Sequence, residues 1–187
     1  SSQTANKEFA IIHFNDFHAA YRSLKKPDEN KFWTGAALLK GYLDKFRSEN
    51  KNTIVAFAGD MFQTTPIEMS SKGKATIEIF NKLGIDIATI GNHEFDYGRK
   101  ALDDFLKDIT FNIVSSNLFD EETEQNLTDP YKIITLDNGL KILFIGLFPV
   151  SGKNYIEKDH SVIIKNADET VRKITVAQKD KANLTIV

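Results

Sequence analysis

Three short segments of this chain are apolar on both faces, and each runs straight into a polar cluster. Phe9–Phe14 ends in Asn15-Asp16-Phe17-His18, Thr53–Ala58 ends in Gly59-Asp60, and Ile85–Ile90 ends in Gly91-Asn92-His93-Glu94. A strand without a polar face has to be covered on both sides, the condition of a largely parallel sheet. The stretches between them carry helical spacing. Thr34–Arg47 brings Leu38, Leu39, Tyr42, Leu43 and Phe46 together and offers Thr34 as N-cap. Ala75–Leu83 does the same with Ile77, Ile79, Phe80 and Leu83, and Gly84 follows as a stop signal. A third helix is expected over residues 100–107. Strands alternating with helices predict an α/β fold.

Beyond that helix the pattern changes. Phe111–Ser115 reads as another buried strand and the polar stretch Phe119–Asp129 as a loop. Tyr131–Leu136 and Lys141–Phe148 flank Asp137-Asn138-Gly139, a hairpin signal. Ala167–Lys179 reads as an amphipathic helix with Val171 and Ile174 inward. Leu184–Val187 then opens an apolar strand at the last residue, so the expectation is a domain over residues 9–187 that is incomplete at its C-terminus. Ser1–Glu8 is expected to be a polar extension.

At 187 residues the chain can bury a normal core. Its longest strongly apolar run, Ile142–Val150, is too short to span a bilayer. Net charge is −2, from 24 basic and 26 acidic residues with no basic block, which argues against a nucleic-acid polymer as partner. With no cysteine, the chain has no disulfide, thiolate metal site or cysteine nucleophile.

In open α/β sheets, ligands bind beyond the carboxyl ends of the strands, where all three polar clusters are expected. Carboxylate and amide oxygens with imidazole suit zinc, manganese, iron or similar ions. Asp16 and His18 are two apart, so extended backbone would point both the same way. Blander readings exist for each. Asp16 and His18 suit a turn, Asp60 a helix cap, Asn92 and His93 a turn with its cap, and Asp96 an exposed helix start. His13 reads as a core or edge histidine, His160 as solvated surface, and Trp33 as packing for the first helix.

Asn15-Asp16-Phe17-His18, Gly59-Asp60 and the run Gly91-Asn92-His93-Glu94-Phe95-Asp96-Tyr97-Gly98 together resemble the first three motifs of calcineurin-like metallophosphoesterases. The Phe95–Gly98 extension is similar to the 5′-nucleotidase and 2′,3′-cyclic phosphodiesterase branch. The resemblance implies an αββα sandwich with mixed sheets and two divalent metal ions. Asp16 and His18 would bind the first ion, Asp60 would bridge both, and Asn92 would bind the second. His93 would face the substrate phosphate, with Asp96 orienting its ring. The implied reaction is hydrolysis of nucleoside 5′-monophosphates by a metal-bridged hydroxide. Cyclic nucleotides or nucleotide sugars are alternative substrates, and a non-catalytic metal- or nucleotide-binding fragment is the alternative from another class.

The resemblance also implies a C-terminal substrate-binding domain and a secreted, periplasmic or cell-surface location. Two further histidine motifs of the family, one of them Gly-His-x-His, are not in this sequence, whose histidines are His13, His18, His93 and His160. Ala19 stands where the family usually has glycine.

Overall fold

The computed structural model describes residues 7–22, 24–25, 31, 34–156 and 161–187. Trp33 and His160 lie outside the described residues. The elements in chain order are β1 Ala10–Phe14, α1 Ala36–Glu49, β2 Thr53–Phe57, α2 Pro66–Ser71, α3 Lys74–Leu83, β3 Ile87–Ala88, α4 Arg99–Asp108 and β4 Asn112–Ile113. They continue as β5 Leu118–Asp120, β6 Lys132–Thr135, β7 Lys141–Phe144, α5 Lys153–Ile156, β8 Val162–Ile164, α6 Ala167–Gln178 and β9 Leu184–Ile186.

Strands β1 to β4 form one parallel sheet in that order. A second sheet is mixed, with β7 antiparallel to β6 and parallel to β9. Strands β5 and β8 make a separate antiparallel ribbon.

Alternation within β2 decides how these layers stack. Val55 and Phe57 turn to one side, where Leu43 of α1, Ile77 and Phe80 of α3 and Phe105 of α4 pack on them. Ile54 turns to the other, meeting Ile142 and Phe144 of β7 in a core between the two sheets. Leu143 faces away from that core and takes Ile174 and Val171 of α6. The layer order is therefore helices, parallel sheet, mixed sheet, helix, the αββα sandwich that the resemblance implied.

Several local expectations shift. The strand expected over Ile85–Ile90 is regular only at Ile87–Ala88, with Asp86 N–H and Thr89 N–H bonded to β2 on either side. That over Phe111–Ser115 is regular only at Asn112–Ile113, with Val114 N–H bonded to Ala88 O. The apolar residues at their ends, among them Ile85, Ile90 and Val114, are buried beside the strands. Thr34 does not cap α1; Gly35, at φ 103°, holds the cap position. The Thr34 hydroxyl instead donates to the Arg22 carbonyl and accepts from Leu24 N–H. The expected loop Phe119–Asp129 begins inside β5. α2 is a short helix the spacing did not announce, capped by Thr65 with Pro66 in its first turn. The hairpin turn holds, with Gly139 at φ 75°, and Gly84 ends α3 at φ 81°. His13 is exposed on edge strand β1.

Candidate metal centre

The carboxyl ends of β1, β2 and β3 lie side by side because the strands are parallel neighbours. The pairing continues past the strands as backbone hydrogen bonds between the first two turns. Asp16 N–H donates to Gly59 O, His18 N–H to Asp60 O, and Ala19 N–H to Met61 O, each at 3.1 Å.

The extended backbone expected at Asp16 and His18 from their spacing is not what the structure has. Both are left-handed, at φ 52° and 47°, and so are Ala19 at 53° and Asp60 at 67°. Non-glycine residues enter this region at a cost of roughly 1–2 kcal/mol each, and such outliers gather at functional sites. Ala19 thus occupies a backbone conformation that glycine adopts without that cost.

His18 Nδ1 lies 3.2 Å from the Phe62 carbonyl, which can only accept, so Nδ1 carries the proton. In the neutral ring Nε2 is then an unprotonated acceptor, 3.1 Å from Asp16 Oδ1, itself an acceptor. Two acceptors facing each other call for a cation or an extra proton between them, so this donor set fits a metal ion. Asp16 Oδ2 takes a further hydrogen bond from the Asn15 amide.

Ligand atoms of His18, Asp60 and His93 lie within 4.8 Å of one another, the one such group of histidine and acidic side chains among the described residues. The His18 and His93 rings meet edge to face, with centroids 4.7 Å apart. His93, expected to face substrate, is thus also within reach of a shared cation. Its Nδ1 is 2.9 Å from Asp96 Oδ2, the partner the sequence assigned to it. Burial alone would lower the His93 pKa. The Asp96 hydrogen bond and the charges of Asp96, Asp60 and Glu94 outweigh it and leave the net shift upward from 6.5.

The bland readings fare differently from residue to residue. Asp60 starts no helix of its own; its Oδ1 accepts at 3.0 Å from the N–H of His93, the first residue of the single helical turn His93–Phe95. Asn92 precedes the single turn His93–Phe95, but its side chain makes no capping hydrogen bond.

Glu94 is the residue to which the sequence reading gave no role. Its side chain is 2% exposed and its carboxylate accepts three backbone N–H groups. These are Met61 N–H at 2.6 Å on Oε1, and Asp60 N–H at 3.0 Å and Gly91 N–H at 2.5 Å on Oε2. Burial pushes its carboxyl up to about 7 despite those donors.

With this geometry in view, residues 9–187 match the model of the calcineurin-like phosphoesterase family. The chain belongs to the calcineurin-like phosphoesterases. A probable 5′-nucleotidase of Treponema pallidum is 30% identical over 197 residues, covering 96% of this chain and 32% of that protein. A 2′,3′-cyclic-nucleotide 2′-phosphodiesterase/3′-nucleotidase of Haemophilus influenzae is 33% identical over 138 residues, covering 65% of this chain and 20% of its own length. The crystal structure of a 5′-nucleotidase precursor from Thermus thermophilus superposes with a TM-score of 0.80 at 27% identity, over 94% of this chain and 35% of that one. The chain thus spans about a third or less of these phosphoesterase relatives. Among the described residues no helix is long and apolar enough to cross a membrane.

Proposed function

We propose that this chain carries the metal-binding part of a phosphomonoesterase acting on nucleoside 5′-monophosphates. The observation that carries the reading is the convergence of Asp16, His18, Asp60 and His93 at three adjacent strand ends, with His93 tied to Asp96. Asp16, His18, Asp60 and Asn92 are assigned to two divalent ions, with Asp60 between them. Two such ions would neutralise phosphate charge and lower the pKa of a bound water.

His93 is assigned to the substrate rather than to a metal. Its hydrogen bond to Asp96 holds the ring in place, and when protonated the ring can donate to a phosphate oxygen or leaving group. Asp96 fixes the ring orientation and stabilises that charge. The names of the 5′-nucleotidase relatives support a nucleotide substrate. The H. influenzae relative favours a cyclic-nucleotide phosphodiesterase as second reading. A substrate-binding domain supplied by further sequence, and a location outside the cytoplasm, belong to the same proposal. The latter draws on a snake venom 5′-nucleotidase of Naja atra, 32% identical over 139 residues, 69% of this chain and 26% of that protein.

The test is phosphate release from AMP with added manganese or zinc, on this chain and on the product of the whole gene. Metal-dependent release by the gene product is expected, cut roughly 100-fold or more by His93→Ala. This chain alone should release little, because the family's two later histidine motifs are not in its sequence. Hydrolysis of 2′,3′-cyclic AMP but not AMP would shift the reading to the phosphodiesterase. Hydrolysis of neither would sink the nucleoside-monophosphatase reading and leave another phosphoester substrate, such as a nucleotide sugar, or a binding role.

A further inference from the structure

Two consecutive peptide groups of the second turn are each held from both sides. The first joins Gly59 to Asp60. Its carbonyl accepts from Asp16 N–H at 3.1 Å, and its N–H donates to Glu94 Oε2 at 3.0 Å. The second joins Asp60 to Met61. Its carbonyl accepts from His18 N–H at 3.1 Å, and its N–H donates to Glu94 Oε1 at 2.6 Å. The carbonyl and N–H of a peptide point in opposite directions, so the second turn lies between Glu94 on one side and the backbone of Asp16 and His18 on the other.

We propose that Glu94 is a positioning residue whose buried carboxylate sets the spacing of the metal-binding side chains on all three turns. This rests on the metal-centre reading above. Oε2 takes Gly91 N–H as well as Asp60 N–H, so one oxygen ties the second turn to the third. In return, Asp60 Oδ1 accepts His93 N–H, closing the link from the other direction. The two turns have no slack. A Cβ on Gly91 would come within 2.3 Å of Asp60 Oδ1, and one on Gly59 within 2.7 Å of Gly91 N.

The left-handed backbone of Asp16, His18 and Asp60 needs something to hold it. Glu94 accepts three backbone N–H groups, which water cannot replace at a site this buried. Its hydrogen bonds go to backbone N–H groups, so its effect on the metal acts through the backbone that carries the ligands. Outer partners of this kind typically change metal affinity 10–100-fold when removed.

The experiment titrates Co²⁺ into the metal-free chain, following the visible absorption that reports ligand number and geometry. The unaltered protein is compared with Glu94→Gln and Glu94→Asp, each studied below its own unfolding midpoint. Gln keeps the side-chain length but sets an amide against Met61 N–H. Asp keeps the charge but withdraws both oxygens by one methylene.

The expected result is Co²⁺ affinity at least tenfold weaker in both variants, with an altered absorption band. Unchanged affinity and spectrum in Glu94→Gln, whatever its unfolding midpoint, would reduce Glu94 to a stability residue and overturn the inference. Normal binding by Glu94→Asp alone would overturn it too, because charge rather than position would then suffice. A chain that takes up no Co²⁺ in unaltered form would overturn the metal-centre reading, and the inference with it.

Discussion

Glu68 has no exposed surface, and its carboxylate accepts hydrogen bonds from Gln63 and Thr76. Gln63 N–H reaches its Oε2 at 2.8 Å and the Thr76 hydroxyl its Oε1 at 2.6 Å. Burial raises its carboxyl pKa above 4.5. The hydrogen bonds from Thr76 and Gln63 oppose the shift, and the charge of Asp96 adds to it. A raised folded-state pKa means the folded state favours the protonated acid. Its contribution to stability is therefore full below about pH 4.5 and lost as pH rises through the folded value. Glu68→Gln can accept from Gln63 N–H and donate to the Thr76 oxygen, keeping both contacts without a charge. Urea unfolding between pH 4 and 8 should show a flatter loss of stability with pH in the variant; equal slopes would mean that Glu68 does not titrate there. The sequence could not announce this residue, because a glutamate near a helix start reads as solvent-facing until the fold closes over it. His93 and Asp96 were legible for the opposite reason, since three residues on one turn is a local distance.

The turns that carry the site are elements in their own right, and their glycines separate two kinds of substitution. Gly59 sits at φ 95° with Gly91 N 2.7 Å from where a Cβ would stand. Gly41, in the middle of α1, has nothing within 4 Å of that position. Gly59→Ala should cost about 1–3 kcal/mol through backbone strain and the clash. Gly41→Ala should raise stability by up to about 1 kcal/mol, because a helix interior favours alanine. Thermal unfolding of the two variants checks both signs, and a neutral Gly59→Ala would show that the turn can relax. The element types for β2, α3 and the β6–β7 hairpin were readable from period and turn chemistry. Their ends were less so. β3 is a regular strand over only two residues, and the apolar residues that flank it, Ile85 and Ile90, are buried beside it. Thr34 had the right chemistry for a cap, but the incoming chain turned its hydroxyl to Arg22 and Leu24.

At the scale of the whole molecule, the parts far apart in sequence are joined by Asn117, which is fully buried. Its amide donates to the Phe148 carbonyl at 2.8 Å and its Oδ1 accepts Phe148 N–H at 2.8 Å, while its backbone carbonyl accepts Lys165 N–H at 2.8 Å. It connects the start of β5 to the segment after β7 and to the turn before α6. Asn117→Ala leaves the Phe148 peptide groups unpaired in a buried place and should cost about 2–4 kcal/mol, read as a fall in denaturant midpoint at unchanged slope. A loss below about 0.5 kcal/mol, the scale of ordinary surface substitutions, would show that water replaces it. The sequence by itself determined the alternation of strands and helices, the three polar clusters at strand ends and the pairing of His93 with Asp96. These follow from local period, local spacing and the rule that parallel strands present their carboxyl ends together. Only the tertiary structure decided which apolar faces meet across the two sheets, that Asp16 and His18 adopt left-handed backbone, and that Glu94 reaches the peptides of the second turn. Those outcomes depend on contacts between residues far apart in the chain, whose geometry no local pattern encodes.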